Sequence, residues 1–187
     1  PGCVHTDLLG NKLIEEPFYR LNEHDLQWID KKNWEYKTIF TVPENLLESE
    51  HIELDFEGLD TYADVFLNDE PILKVDNMFR SWKIQVKNRL KAGENELRIL
   101  FHSPTLMGEK ELEKFGYPLP ASNDQSENGE MGDKKVSVYV RKAPYHFGWD
   151  WGPRLVTSGI WRPIKLVGWN DAKIENLHIF QGVISDS

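Results

Sequence analysis

What most constrains this chain is the alternation of apolar and polar residues in short runs, each cut off by turn-forming residues. Trp34, Tyr36, Thr38, Phe40 and Val42 share one parity, and Pro43 stops the run. Alternate side chains of a strand point to opposite faces, so such a run predicts a strand with one buried face. Ile52, Leu54 and Phe56 alternate with His51, Glu53, Asp55 and Glu57, which predicts a strand with a charged, solvated outer face. Residues 61–67 and 72–75 flank Asn68-Asp69, a dipeptide suited to a tight hairpin. Trp82, Ile84 and Val86 make a further run, as do Leu97, Ile99 and Phe101 before Pro104. The span 34–104 therefore holds about six short strands at sandwich spacing.

The flanks are less regular. Residues 4–9 predict one helical turn capped by Thr6 or Asp7. Residues 105–135 read as a long loop with at most a short helix at 109–114, and as the most mobile part of the chain. Val136, Val138 and Val140 restore the strand period. Ile160, Ile164 and Leu166 predict another strand, with Pro163 marking an edge or a bulge. A last strand is expected at 174–180, after a boundary at Asn170-Asp171. With no internal repeat and almost no helix, the fold class is all-β: an antiparallel β-sandwich, specifically a jelly roll.

Composition excludes several functions. The net charge is −9 with no basic stripe, so nucleic acid is not an expected partner. No apolar run is long enough to span a membrane, and none is expected to bind one. Cys3 is the single cysteine, which rules out a disulfide framework and a thiolate zinc site. The histidines do not pair at ligand spacing, and neither a metal nor a cofactor is expected. Asn-x-Ser/Thr is absent, which points to a bacterial source. The opening Pro-Gly-Cys-Val-His reads as an internal cut, so a fragment truncated at both ends is expected.

One segment carries chemistry. Gly148-Trp149-Asp150-Trp151-Gly152-Pro153 sets a carboxylate between two indoles, with a glycine on each side. Aromatic faces meet the C–H faces of a pyranose, and a carboxylate accepts two hydroxyl hydrogen bonds. Trp149, Asp150 and Trp151 are thus candidate substrate-binding residues. The bland alternative is a sandwich corner with both tryptophans as core plugs and Asp150 capping a turn or pairing with Arg154 or Arg141. A glycosidase needs two carboxylates at fixed separation across one bond, and no such pair can be picked out. No catalytic residue is therefore assigned, and the chain alone is expected to be inactive.

Several segments, in order, resemble one family. Arg141-Lys142-Ala143-Pro144-Tyr145-His146-Phe147-Gly148-Trp149-Asp150-Trp151-Gly152-Pro153-Arg154 is similar to the signature segment of β-mannosidases in glycoside hydrolase family 2. Pro1-Gly2-Cys3-Val4-His5 resembles their N-terminal segment. Gly58-Leu59-Asp60-Thr61-Tyr62-Ala63-Asp64-Val65-Phe66-Leu67-Asn68 resembles the central hairpin, and Asn77-Met78-Phe79-Arg80 the segment after it. Gly159-Ile160-Trp161-Arg162-Pro163 marks only the wider family. The resemblance implies a galactose-binding-domain-like jelly roll over 1–170, lacking its first strand, with 171–187 as a last strand or the start of an immunoglobulin-like domain. It implies packing on a (β/α)8 barrel that holds both catalytic glutamates and removes terminal β-mannosyl residues with retention. Asp150 and Trp149 would meet that mannose, with Trp151 in support. It also implies a periplasmic or extracellular place in a bacterium, or a lysosomal one in a eukaryote. A stand-alone carbohydrate-binding module and a purely structural sandwich are the other two readings.

Overall fold

The computed structural model describes residues 2–182. Its centre is two antiparallel sheets. The strands are β1 (Trp34–Thr41), β2 (His51–Phe56), β3 (Tyr62–Leu67), β4 (Glu70–Asp76), β5 (Trp82–Gln85), β6 (Glu94–Phe101) and β7 (Ile164–Trp169). One sheet has the order β1-β6-β3-β4 and the other β5-β2-β7. The antiparallel β-sandwich expected from the alternation is thus the observed architecture. Asn68 and Asp69 turn β3 into β4 with φ of 53° and 67°. Both central residues being left-handed is the type I′ geometry, whose twist matches that of the strands.

Ile52, Leu54 and Phe56 of β2 face Val65 and Leu67 of β3 and Ile99 and Phe101 of β6, all within one buried cluster. Burying each such side chain contributes about 1.5–3 kcal/mol. The other parity of β2 departs from expectation. Glu53 is buried and pairs with Lys173, because the chain after β7 crosses the outer face of the central strand. Lys173 also lies 4.0 Å above the Trp169 ring.

The segments outside the sandwich differ from the sequence expectation. The expected loop 105–135 begins with a twelve-residue helix, Pro104–Phe115. Pro104 sits in its first turn, the Ser103 hydroxyl accepts from the Leu106 N–H, and left-handed Gly116 ends it. Val136–Val140 is not a strand. Ser137–Tyr139 is a 3₁₀ turn, and Val136 and Val140 pack together with Phe147 and Val156 while Val138 faces out. A Cβ on Gly108 would lie 2.8 Å from the Val136 Cβ, so the helix reaches this segment only through a glycine. The N-terminal turn is a helix, Val4–Gly10, with Cys3 as its cap residue in place of Thr6 or Asp7. Ile160 precedes β7 and lies outside it. Residues 174–180 form no strand, and Ile174, Leu177, Ile179 and Phe180 are exposed. Among the described residues no helix is long and apolar enough to cross a membrane.

Candidate functional site

The Trp-Asp-Trp segment is a two-residue hairpin turn. The Trp149 N–H donates to the Gly152 carbonyl at 3.1 Å, and the Gly152 N–H returns a bond to the Trp149 carbonyl at 3.4 Å. Asp150 and Trp151 occupy the two central positions, and neither has a positive φ. Glycine is favoured at the closing position of such a turn. On the approach, Pro144–Phe147 forms a 3₁₀ helix ended by Gly148 at φ 96°. A Cβ there would be 2.6 Å from Gln125 Oε1, so glycine is required twice over. The Gln125 side-chain amide donates to the Trp149 carbonyl, and its backbone N–H to the Phe147 carbonyl at 2.9 Å.

On the far side the anchor is Arg154, the largest fully buried side chain. Its guanidinium donates to Asp30 Oδ2 at 2.9 Å and to Gln27 Oε1 at 2.6 Å. Its backbone N–H donates to Glu23 Oε1 at 2.7 Å, and its carbonyl accepts from Gln27 Nε2 at 2.8 Å. Thr105 Oγ1 donates to the same Asp30 oxygen at 2.5 Å. Gly129 leaves room for all this, since a Cβ on it would sit 2.5 Å from the Arg154 guanidinium carbon. Residues 23–30, the start of the long helix and the 121–135 segment thus converge on one cation just behind the turn.

So held, the turn projects outward. Trp151 is 80% exposed, Trp149 is half-buried, and their ring centroids are 6.1 Å apart with planes at 47°. Trp151 cannot then be a core plug. Asp150 is exposed and, among the described residues, forms no hydrogen bond or ion pair with the protein. Arg154 is engaged with Asp30, and Arg141 with Asp76 at 3.8 Å.

The three residues line a cleft of about 400 Å³. The segment from Pro17 to Glu23 brings Phe18, Arg20 and Glu23 to the same cleft, and Gln125 lines it too. These residues lie about 25–130 positions away in sequence and follow no motif spacing, so nothing in the sequence pattern links them to the turn. Two other depressions differ in chemistry. A groove of about 310 Å³ between β1 and β7 is lined mostly by apolar side chains such as Phe40, Leu97 and Leu166, with Lys37 and Thr38 on the β1 side. A cleft of about 540 Å³ beside Tyr145 and Phe79 overlies a buried ionic group. There Lys142 pairs with Asp60, and burial pulls the lysine pKa down although Asp60 opposes it. His146 and His5 nearby are both held to about 4, first by burial and then by Lys142. Among the described residues no group of His, Cys, Asp or Glu could hold a metal ion.

Residues 1–162 match the family model described as glycosyl hydrolase 2 galactose-binding domain-like. The chain belongs to that family. It is 42% identical over 166 residues to the "Beta-mannosidase B" of Thermothelomyces thermophilus, covering 89% of this chain and 18% of that protein. Against the "Beta-mannosidase" of Capra hircus the identity is 36% over 171 residues, covering 91% of this chain and 19% of the relative. The crystal structure of a β-D-mannosidase from Dictyoglomus thermophilum superposes with a TM-score of 0.82 at 44% identity, over 94% of this chain and 20% of that one. The chain therefore spans about a fifth of the length of the relatives it matches.

Proposed function

We propose that this chain is the non-catalytic N-terminal domain of a retaining exo-β-mannosidase, and that its Trp-Asp-Trp turn forms part of the sugar pocket of a catalytic (β/α)8 barrel. The domain boundaries under this reading are 1–170 for the sugar-contacting sandwich and 171–187 for the passage to the next domain. The observation that carries it is the state of Asp150. A carboxylate held between two indoles, with Arg154 committed to Asp30 and Arg141 to Asp76, and with no hydrogen bond or ion pair of its own among the described residues, has its acceptor capacity free for a ligand. The names of the relatives, β-mannosidases of fungi, mammals and bacteria, support a terminal β-mannosyl residue as that ligand. Asp150 accepts bonds from two sugar hydroxyls, Trp149 shields them from water, and Trp151 supports the pair. An epimer with one hydroxyl misplaced leaves the carboxylate partly unpaired, which is how such a contact discriminates. General acid and nucleophile both belong to the barrel, so Asp150 moves no proton. The same reading puts the protein outside the cytoplasm: periplasmic or extracellular in a bacterium, lysosomal in a eukaryote.

The test is Asp150→Asn and Asp150→Ala in the full-length enzyme. Loss of charge-assisted hydrogen bonds to substrate lowers kcat/KM by about 2–4 kcal/mol, with the thermal midpoint unchanged. A folded variant with unaltered kcat/KM would reject the proposal. The isolated chain should not bind a mannoside measurably. Millimolar affinity already needs about 4 kcal/mol after ordering costs, which one carboxylate and two indoles on an open turn do not supply. Tight binding by the isolated chain would instead favour a stand-alone carbohydrate-binding module.

A further inference from the structure

We infer that Arg20 and Glu23 are specificity-determining residues on a second wall of the same sugar cleft. This rests on the reading of Asp150 given above. Both residues line the cleft with Trp149, Asp150 and Trp151, and Phe18 adds a ring that is 74% exposed. Arg20 keeps its guanidinium, and Glu23 one carboxylate oxygen, free of polar protein partners among the described residues. Glu23 Oε1 accepts from the Arg154 N–H at 2.7 Å, which fixes the side chain beside the turn. Its other oxygen has no protein partner among the described residues. Arg20 makes no ion pair among the described residues, and its guanidinium lies 5.0 Å over the ring of Tyr19.

The backbone is also unusual here. Arg20 has a φ of 53°, a left-handed conformation that a residue with a Cβ seldom adopts. It sits between the Glu16 carbonyl, which accepts from Asn22 Nδ2 at 2.9 Å, and the short helix Asn22–Asp25. These bonds hold the bend that places residues 18, 20 and 23 along the cleft. Buried Arg154, next to the turn in sequence, ties this segment to it through its N–H bond to Glu23 and its guanidinium bond to Asp30.

The chemistry complements the Trp-Asp-Trp side. Glu23 Oε2 accepts from a sugar hydroxyl, and Arg20 donates to a hydroxyl or ring oxygen. Phe18 offers a second apolar face to the ring. Two carboxylates against one guanidinium disfavour an anionic sugar, so the cleft suits a neutral pyranoside.

The experiment compares Arg20→Asn, Glu23→Gln and Asp150→Asn in the full-length enzyme, on aryl β-mannoside and aryl β-glucoside. Asparagine tolerates the left-handed backbone at position 20, and glutamine still accepts from the Arg154 N–H. Each of the first two variants should lower mannoside kcat/KM about 10-fold or more, the scale of one lost charge-assisted bond. Each should also reduce the manno-to-gluco ratio, which a merely structural defect would not move. If Asp150→Asn loses activity while Arg20→Asn and Glu23→Gln keep both rate and ratio, this inference is overturned alone. If Asp150→Asn is silent too, the reading beneath it falls as well. Should Glu23→Gln fail to fold, Arg20→Asn decides the matter, since that side chain stacks only on an exposed tyrosine.

Discussion

Replacing Arg154 by methionine should destabilise the chain more than any change within the exposed turn. The guanidinium is 1% exposed and bonds Asp30 and Gln27, and Asp30 is as deeply buried. Methionine fills much of the volume but leaves the Asp30 carboxylate without its cation. Removing one partner of a buried pair costs about 3–5 kcal/mol, because the remaining charge stays out of water. A domain of this size loses about 2–4 °C of Tm per kcal/mol, so the midpoint should fall by roughly 6–20 °C. Thermal and urea unfolding of the variant measure this. Adding Asp30→Asn should recover about 1 kcal/mol or more, since the stranded charge is then gone. A single variant costing under about 1 kcal/mol, or a double variant costing the sum of both singles, would refute the reasoning.

Acid should weaken the fold in a defined window. His5 and His146 are held at about 4 when folded, against an ordinary 6.5, so the unfolded chain takes up protons that the folded chain refuses. Their contribution is complete above pH 6.5 and is lost as pH falls towards 4. It amounts to no more than about 3 kcal/mol each, and His146→Gln should flatten the slope of urea midpoint against pH. Limited proteolysis should cut first in the stretch 174–180. Its apolar side chains are more than 80% exposed at Ile174, Leu177 and Phe180, whereas 121–135 is tied down through buried Asp124 and Ser126. First cleavage at 121–135 would show that those bonds do not hold the segment.

The strands of 34–104 were legible because each buries one face, and a period of two survives any tertiary context. Where that logic stops, reading by period fails. Val136, Val138 and Val140 alternate, yet only the outer two are buried, against Phe147 and Val156 and across Gly108 of the helix. Residues 174–180 read as one more strand, but Ile174, Leu177 and Phe180 are exposed and meet no second layer among the described residues. Glu53 read as solvated because the sequence does not reveal that Lys173 returns across it 120 positions later. The Trp-Asp-Trp turn could be picked out from adjacent residues, and the family resemblance pointed to the same place. Its supports could not. Asp30, Gln27 and Gln125 act through contacts 24–127 positions long, and nothing local distinguishes the Asp30 carboxylate from any surface acid. The 17–23 part of the cleft lining was hidden for the same reason.

The most direct test of the central claim is a crystal structure of the full-length enzyme with a mannose-configured inhibitor bound in the barrel. The account predicts an Asp150 carboxylate oxygen within about 2.6–3.2 Å of a sugar hydroxyl, with Trp149 packed beside it. A Trp-Asp-Trp turn facing solvent, with the inhibitor fully coordinated by barrel residues alone, would contradict it.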